Sequence, residues 1–340
     1  MVTIEYKEAK FYKPINHDRI ICNLCARHCR IPEGQVGFCG VRKNINGKLY
    51  SLNYGRLVAM NVDPIEKKPL MHFKPKRWVM SIATAGCNFA CQFCLNFDIS
   101  QRRKVVEPYV PPEFVVEETI RQGADGISYT YNEPTIFAEY AIDVMRLAHK
   151  EGLFNTWVTN GYMTVEALDY IARDLDAATV DFKGNGNKDF YRKYMMVPDP
   201  SPIFDSLIEM KRKGVFIEIT DLVVPVAQGS NLNDLRKLVN WIIDNLGPET
   251  PFHVLRFHPD YKMLNVPSTP VKMLEQHAEL ARKEGLHYVY IGNVWGHPLE
   301  NTYCPSCGYD VIDRIGFQVR KIDLDGNRCP KCGTKINIVL

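Results

Sequence analysis

The stretch Trp78-Val-Met-Ser-Ile-Ala-Thr-Ala-Gly-Cys87-Asn-Phe-Ala-Cys91-Gln-Phe-Cys94 places three thiols directly after an apolar run. The run Trp78–Ala83 predicts a β-strand, and the cysteines follow its end. The spacing C-x3-C-x2-C suits three irons of a [4Fe-4S] cube, whose fully protein-held form takes four cysteines. The next cysteine along the chain is Cys304, so the sequence predicts a cluster with one iron left open. Buried structural thiols, or zinc with a missing ligand, are the alternatives.

Downstream of this loop, strand-like and helix-like segments alternate to about residue 298. This alternation is typical of α/β folds with parallel strands, and six repeats predict a partial (β/α)6 TIM-like barrel, with an open doubly wound sheet as the alternative. In either fold the chemistry lies at the carboxyl ends of the strands, which includes the cysteine loop. The predicted strands are Trp78–Ala83, Gly126–Tyr131, Phe154–Thr159, Ala178–Phe182, Val215–Val224, Phe252–Phe257 and Tyr288–Ile291. The predicted helices are Pro112–Gln122, Ile136–Lys150, Val165–Arg173, Pro202–Lys213, Asn233–Leu246 and Thr269–Lys283.

One cysteine-rich module is predicted on each side of this core, which spans residues 76–298. Residues 1–75 hold four thiols in the spacing C-x2-C-x3-C-x9-C and a hairpin signal at Asn46-Gly47. These thiols suit zinc or an auxiliary [4Fe-4S] cluster, and their spacing does not distinguish the two. They are Cys22, Cys25, Cys29 and Cys39.

Residues 299–340 carry two Cys-Pro-x-Cys-Gly knuckles, which predict a zinc-ribbon or rubredoxin-like module. Four thiolates fill the tetrahedron of a structural zinc, and the metal would supply folding energy to so short a tail. A single rubredoxin-like iron is the alternative. The ligands are Cys304, Cys307, Cys329 and Cys332.

Composition and charge narrow the class of protein. All 11 cysteines fall into these three tight groups, which favours metal sites in a reducing compartment over disulfides. The formal net charge of +3 is too small to indicate binding to nucleic acid or to an anionic membrane surface. The first residues lack the apolar region of a signal peptide, and no apolar run is long enough to span a membrane. We therefore expect a cytoplasmic protein.

Several further motifs accompany the cysteine loop over nearly the whole chain. They are Cys22-Asn-Leu-Cys25, Asp63-Pro-Ile-Glu-Lys-Lys-Pro-Leu70, Tyr129-Thr-Tyr-Asn-Glu-Pro134, Val158-Thr-Asn-Gly161, Arg256-Phe-His-Pro259, Tyr290-Ile-Gly-Asn293 and the two closing knuckles. Together with the loop they resemble the radical S-adenosylmethionine (SAM) superfamily. Within it the chain resembles the pyruvate formate-lyase activating-enzyme-like branch and the radical SAM component of the AmmeMemoRadiSam system.

The resemblance implies that an open iron chelates SAM and that one electron cleaves a carbon–sulfur bond, usually leaving a 5′-deoxyadenosyl radical. It implies cofactor contacts from Phe93 near the adenine and from Glu133 to the methionine ammonium. Loop packing for Phe93 and a helix cap for Glu133 are the alternatives. Further implied cofactor-binding residues are Thr159, Asn160, Asp181 and Asn293, and the implied catalytic residues are Lys183 and His258.

The resemblance also implies an electron donor such as ferredoxin or flavodoxin, and a small-molecule or protein substrate that the sequence does not identify. Two rival functions stay open. One is an activase that abstracts hydrogen from a glycine of a partner enzyme, although Val158 stands where such activases usually have aspartate. The other is a zinc-ribbon protein that binds RNA or protein, which the charge and the intact three-cysteine loop disfavour.

Overall fold

A sheet of eight strands forms the centre of the computed structural model, which describes residues 6–16, 18–102 and 104–340. The strands of this sheet are β7 (Leu57–Pro64), β8 (Trp78–Thr84), β9 (Gly126–Tyr129), β10 (Phe154–Thr159), β11 (Ala177–Lys183), β12 (Phe216–Val223), β13 (Phe252–Arg256) and β14 (Val289–Gly292). The helices are α1 (Phe97–Ser100), α2 (Pro112–Arg121), α3 (Ala138–Lys150), α4 (Val165–Ile171), α5 (Lys188–Met195), α6 (Ser201–Arg212), α7 (Leu232–Leu246) and α8 (Val271–Glu284).

The strands β8 to β14 pair in chain order and all run parallel, while β7 pairs antiparallel with β8 at one edge. A doubly wound sheet reverses its strand order at a switch point, and this sheet does not. In the described part of the chain the sheet ends at β7 and β14 without closing. The fold is therefore an α/β partial barrel, as the alternation predicts.

All the predicted strands and helices are present, with ends that differ by at most two residues. The helix expected from Ile136 instead begins at Ala138, because the 3-10 turn Pro134–Phe137 precedes it. The sequence did not predict α5, a mostly polar helix whose few apolar side chains are buried. Those side chains pack on the cysteine loop: the rings of Phe190 and Phe93 have centroids 5.7 Å apart. Helix α5 thus supports the cysteine loop by packing against it.

The N-terminal segment forms two small antiparallel sheets, and its residues 57–64 join the central sheet as β7. The hairpin at Asn46-Gly47 is confirmed: the φ angles are 53° and 76°, and two positive values are what a type I′ turn requires. The strands of the two small sheets are β1 (Lys7–Glu8), β2 (Tyr12–Pro14), β3 (Arg19–Cys22), β4 (Arg30–Pro32), β5 (Arg42–Ile45) and β6 (Lys48–Ser51).

The C-terminal tail, with β15 (Thr302–Tyr303), β16 (Asp310–Ile315) and β17 (Gln318–Ile322), packs at the amino ends of the barrel strands. His72 joins the two parts: its Nδ1 lies 2.6 Å from the carbonyl oxygen of Asn337, and its backbone N–H donates to Glu218 at the start of β12. The tail therefore lies at the end of the barrel opposite to the cysteine loop. No helix in the described ranges is long and apolar enough to cross a membrane.

Candidate active site

The cysteine loop leaves the carboxyl end of β8 and is held by backbone hydrogen bonds on several sides. Gly86 N donates to Ile99 O at 2.9 Å, and Ala90 N donates to Met195 O at 3.1 Å at the end of α5. Gly86 has φ of 95°, a left-handed conformation that favours glycine. The three thiols thus project from a fixed turn at the barrel end where chemistry is expected.

The surroundings of the three thiols suit metal ligation. Burial raises the pKa of Cys87, Cys91 and Cys94, to about 12 for Cys91, so in the metal-free chain these groups hold their protons. The Lys183 ammonium opposes this for Cys91 and Cys94. Cys94 Sγ also lies 3.1 Å from Ser100 Oγ. Metal ligation requires the thiolate, so loading the site would release protons and pair negative sulfur with a nearby cation.

Glu133 is buried, and its carboxylate accepts four hydrogen bonds from the protein. Thr135 donates its N–H at 3.0 Å and its hydroxyl at 2.6 Å, Thr159 donates its hydroxyl at 2.7 Å, and Asn160 donates its N–H at 2.8 Å. Glu133 therefore caps the 3-10 turn that starts at Pro134, and it joins the end of β9 to the end of β10. Burial raises the pKa of Glu133. Direct contact with a SAM ammonium stays a prediction.

Asp181 and Lys183 lie on one face of β11, as their spacing predicts. Lys183 Nζ is 3.3 Å from Asp181 Oδ2, and Asp181 Oδ1 accepts a hydrogen bond of 2.6 Å from the hydroxyl of Thr220. Burial favours the neutral amine of Lys183, but the Asp181 carboxylate outweighs it and raises the lysine pKa. A persistent cation thus faces the cysteine loop.

A cavity of about 290 Å³ opens beside the loop, close to the lower end of the range for small-molecule sites. Its walls bring together Phe93, His258 and Asn293, which the sequence placed in the site, with Arg256, which it did not. Phe93 is buried, whereas His258 and Asn293 are exposed at the mouth. Asn293 donates to Arg256 O at 3.2 Å, which fixes one rim of the cavity.

Inside the barrel, below this site, lie buried residues of β7 and of the segment between β7 and β8. Asp63 accepts hydrogen bonds from Lys68 Nζ at 2.7 Å, from Ser81 Oγ at 2.8 Å and from the hydroxyl of Tyr131. Burial alone would raise the pKa of Asp63, but hydrogen bonds from Lys67, Lys68 and Tyr131 hold it well below its usual range. Tyr131 directly precedes Asn132-Glu133, so this ionic network supports the strand end that carries Glu133.

Asn88 is not among the predicted site residues, although it follows the first cysteine and links three parts of the site. Its Oδ1 accepts from Asn160 Nδ2 at 2.7 Å, and its carbonyl oxygen accepts from the Arg27 guanidinium. Nothing in the local pattern marks this asparagine, because its partners lie 72 and 61 residues away in the chain. It connects the cysteine loop to β10 and to the N-terminal segment.

The four C-terminal thiols converge within 4.8 Å of one another. Cys304 Sγ is 3.5 Å from Cys332 Sγ, and Cys307 Sγ is 3.7 Å from Cys329 Sγ. A tetrahedron with Zn–S bonds of about 2.3 Å has sulfur–sulfur edges of roughly 3.8 Å, close to these distances. The four thiols thus form a four-cysteine metal site, and their spacing favours a single ion.

The comparisons with known proteins agree with this architecture. Residues 81–242 match the family model described as the Radical SAM superfamily. The chain is 46% identical over 338 residues to protein MJ0808 of Methanocaldococcus jannaschii, covering 98% of this chain and 100% of that protein. A stretch of 113 residues is 27% identical to MJ1632 of the same organism, whose name refers to glycyl-radical enzyme activation, covering 33% of this chain and 42% of that protein.

Among solved structures, the barrel is similar to Streptococcus suis SuiB bound to its precursor peptide SuiA. The TM-score is 0.50 at 13% identity, over 67% of this chain and 51% of SuiB. At this identity the likeness concerns the fold alone, and this chain spans about half of SuiB. Together with the family model and the spacing of the cysteine loop, the comparisons show that the chain belongs to the radical SAM superfamily.

Proposed function

We propose that this protein binds a [4Fe-4S] cluster through Cys87, Cys91 and Cys94 and uses it to cleave SAM and abstract hydrogen from a substrate. The observation that carries the proposal is the position of the loop: three thiols lie at the carboxyl end of β8, with no fourth cysteine in the loop. The Lys183 cation acts on Cys91 and Cys94, and the loop residues Phe93 and Leu95 line an adjacent cavity. When bound, the cluster and SAM would supply one-electron cleavage of a carbon–sulfur bond.

The residues around the loop would bind and orient the cofactor. Thr159 and Asn160 would contact the methionine part of SAM, in an arrangement fixed by the Glu133 carboxylate. Asp181 and Lys183 would balance its charges close to the cluster. Phe93 and Asn293 would form the wall that receives the adenosine part, with His258 exposed towards the substrate.

Replacing Cys87, Cys91 and Cys94 by alanine tests the proposal. We expect the variant to lose SAM cleavage under dithionite, measured anaerobically by mass spectrometry of the products, while zinc in the tail stays bound. The loss follows because the thiolates would be the protein's own ligands to the irons. Full cleavage by the variant would refute the assignment of these cysteines.

A second candidate is activation of a glycyl-radical enzyme, favoured by the partial similarity to MJ1632. Val158, which precedes Thr159, argues against it because activases usually carry aspartate there. Both candidates need the same cluster and SAM, so the nature of the hydrogen donor separates them. A glycyl radical formed on a partner protein, seen by electron paramagnetic resonance, would establish the activase.

A further inference from the structure

The four N-terminal cysteines lie around one enclosed space. Cys22 and Cys39 are buried and Cys25 and Cys29 are half-buried, and all four line the same cavity. Cys22 reaches it from the end of β3, and the other three cysteines from the loops that flank β4, over 17 positions of the chain. The backbone N–H of Phe38 lies 3.5 Å from Cys29 Sγ. Four converging thiols with N–H groups directed at sulfur form a metal-binding arrangement.

The spacing of these thiols is too wide for a zinc tetrahedron. Among the described residues, which include all four cysteines, no three of these Sγ atoms lie within 4.8 Å of one another. The C-terminal thiols, in the same chain, meet that distance.

The catalytic thiols Cys87, Cys91 and Cys94 provide an internal reference. They also are not all within 4.8 Å of one another. In a [4Fe-4S] cube each thiolate binds a different iron, so the sulfurs stand further apart than around a single ion. The N-terminal set thus has the wider spacing of the cluster loop rather than the spacing of the tail.

Two arginines line the cavity and place positive charge beside the four thiols: Arg42, which is buried, and Arg27, which is half-buried. Arg42 pairs with Glu139 at 2.9 Å, yet its Nε has no hydrogen-bond partner among the described residues, and its side chain lines the cavity. A buried N–H without a partner is costly, and an acceptor in the cavity would satisfy it. Arg27 lines the same cavity and stacks on Phe38, with its guanidinium carbon 3.6 Å from the ring centroid.

This cavity shares a wall with the catalytic loop. Arg27 donates hydrogen bonds to Asn88 O, next to Cys87, and to Met196 O. The carbonyl oxygen of Cys39 lies only 2.5 Å from where a Cβ on Gly86 would stand, so the two backbones touch. The two sets of thiols are therefore neighbours in space, although 48 positions separate Cys39 from Cys87.

We propose that Cys22, Cys25, Cys29 and Cys39 bind a second [4Fe-4S] cluster, which carries single electrons to the catalytic cluster beside it. With four protein ligands no iron is open, so this cluster exchanges electrons and binds no substrate. One electron would enter from a reduced ferredoxin- or flavodoxin-type protein and pass on to the catalytic cluster, which returns the second cluster to its oxidised form. The electron-carrying role rests on the proposed function; the metal assignment does not.

Metal analysis of the full chain, isolated without oxygen and reconstituted with iron and sulfide, tests the assignment. We expect about eight irons, about eight sulfides and about one zinc per chain. About four irons with about two zincs would overturn the proposal in favour of zinc. About six irons would indicate a [2Fe-2S] centre and would overturn it as well. These counts need no variant.

Two matched variants separate this proposal from the proposed function. Cys25→Ser with Cys29→Ser, and Cys87→Ser with Cys91→Ser and Cys94→Ser, should each retain about four irons. If the second variant kept all its iron and its SAM cleavage, the proposed function would fail while the N-terminal cluster could still stand. If the first variant kept all its iron, the N-terminal assignment alone would be wrong.

Reductive titration tests the electron-carrying role. Reduced flavodoxin should bleach the cluster absorbance of the Cys87, Cys91 and Cys94 variant with uptake of about one electron per chain, and wild type with about two. An N-terminal cluster that accepts no electron in wild type would overturn the role, whether or not the variant folds.

Discussion

Replacing Glu133 by glutamine tests how the proposed SAM site is assembled. An amide oxygen can keep the three hydrogen bonds that converge on Oε1, from Thr135 and Thr159. The new amide nitrogen then faces the N–H of Asn160, which donates to Glu133 Oε2 at 2.8 Å. Two donors cannot pair, and a buried donor without a partner costs about 1–3 kcal/mol.

Two other effects oppose each other in this variant. The three remaining bonds lose their assistance from charge, which weakens them. Burial of the ionised carboxylate already costs free energy, as the raised pKa of Glu133 shows, and the neutral amide avoids that cost. We therefore expect the free energy of unfolding to fall by about 2 kcal/mol, which lowers the melting temperature by several degrees.

The same change should weaken SAM binding, because Asn160 loses the acceptor that aligns it and the bond from Thr159 loses its assistance from charge. Loss of a charge-assisted contact of about 1.5–3 kcal/mol raises the dissociation constant by roughly 10- to 100-fold. Isothermal titration calorimetry with the reconstituted protein measures the constant, and circular dichroism measures the melting temperature. Glu218→Gln is the matched control, since Glu218 is another buried carboxylate with two histidine partners at the opposite end of the barrel.

The control should lose stability and keep its affinity for SAM. If Glu133→Gln melted at a lower temperature with an unchanged dissociation constant, Glu133 would be a cap and its place in the SAM site would be refuted. If the melting temperature did not change and the affinity fell, the carboxylate would contact SAM directly, and the expected fall in the free energy of unfolding would be wrong.

Two further predictions concern the tail and a buried aspartate. Replacing Cys304 and Cys307 by serine should remove about one zinc per chain and lower the melting temperature. SAM cleavage per remaining cluster should persist, because the tail lies at the far end of the barrel. Iron instead of zinc in elemental analysis, or complete loss of cleavage, would contradict this. Burial raises the pKa of Asp221 from 3.8 to about 7, so the stability that this group contributes is full below about pH 4 and is lost as the pH rises through 7. Asp221→Asn should remove this pH dependence, which is about 4 kcal/mol in all at about 1.4 kcal/mol per pKa unit and about 2.7 kcal/mol between pH 5 and pH 8. Denaturant unfolding at these two pH values measures it, and an equal change in the free energy of unfolding for both proteins would refute the reasoning.

The sequence by itself determined the cluster loop, the α/β alternation and the two knuckles of the tail. Each of these is a local property: the spacing of ligands over a few residues, or the period of apolar positions within one element. The type I′ hairpin at Asn46-Gly47 was predictable for the same reason, since its two residues need positive φ and adopt it readily. Helix α5 was not predictable, because its polar surface hides a few apolar side chains whose partners come from the cysteine loop.

Only the tertiary structure decided how distant residues meet. It showed that Glu133 accepts hydrogen bonds from Thr135, Thr159 and Asn160, whereas the sequence left a SAM contact and a helix cap open, and it set Asn88 between three segments of the chain. It also set the distances among the N-terminal thiols, on which the kind of metal depends and about which the spacing C-x2-C-x3-C-x9-C says nothing. These contacts join residues tens of positions apart, so they follow from the packing of sheets and loops and not from any local pattern.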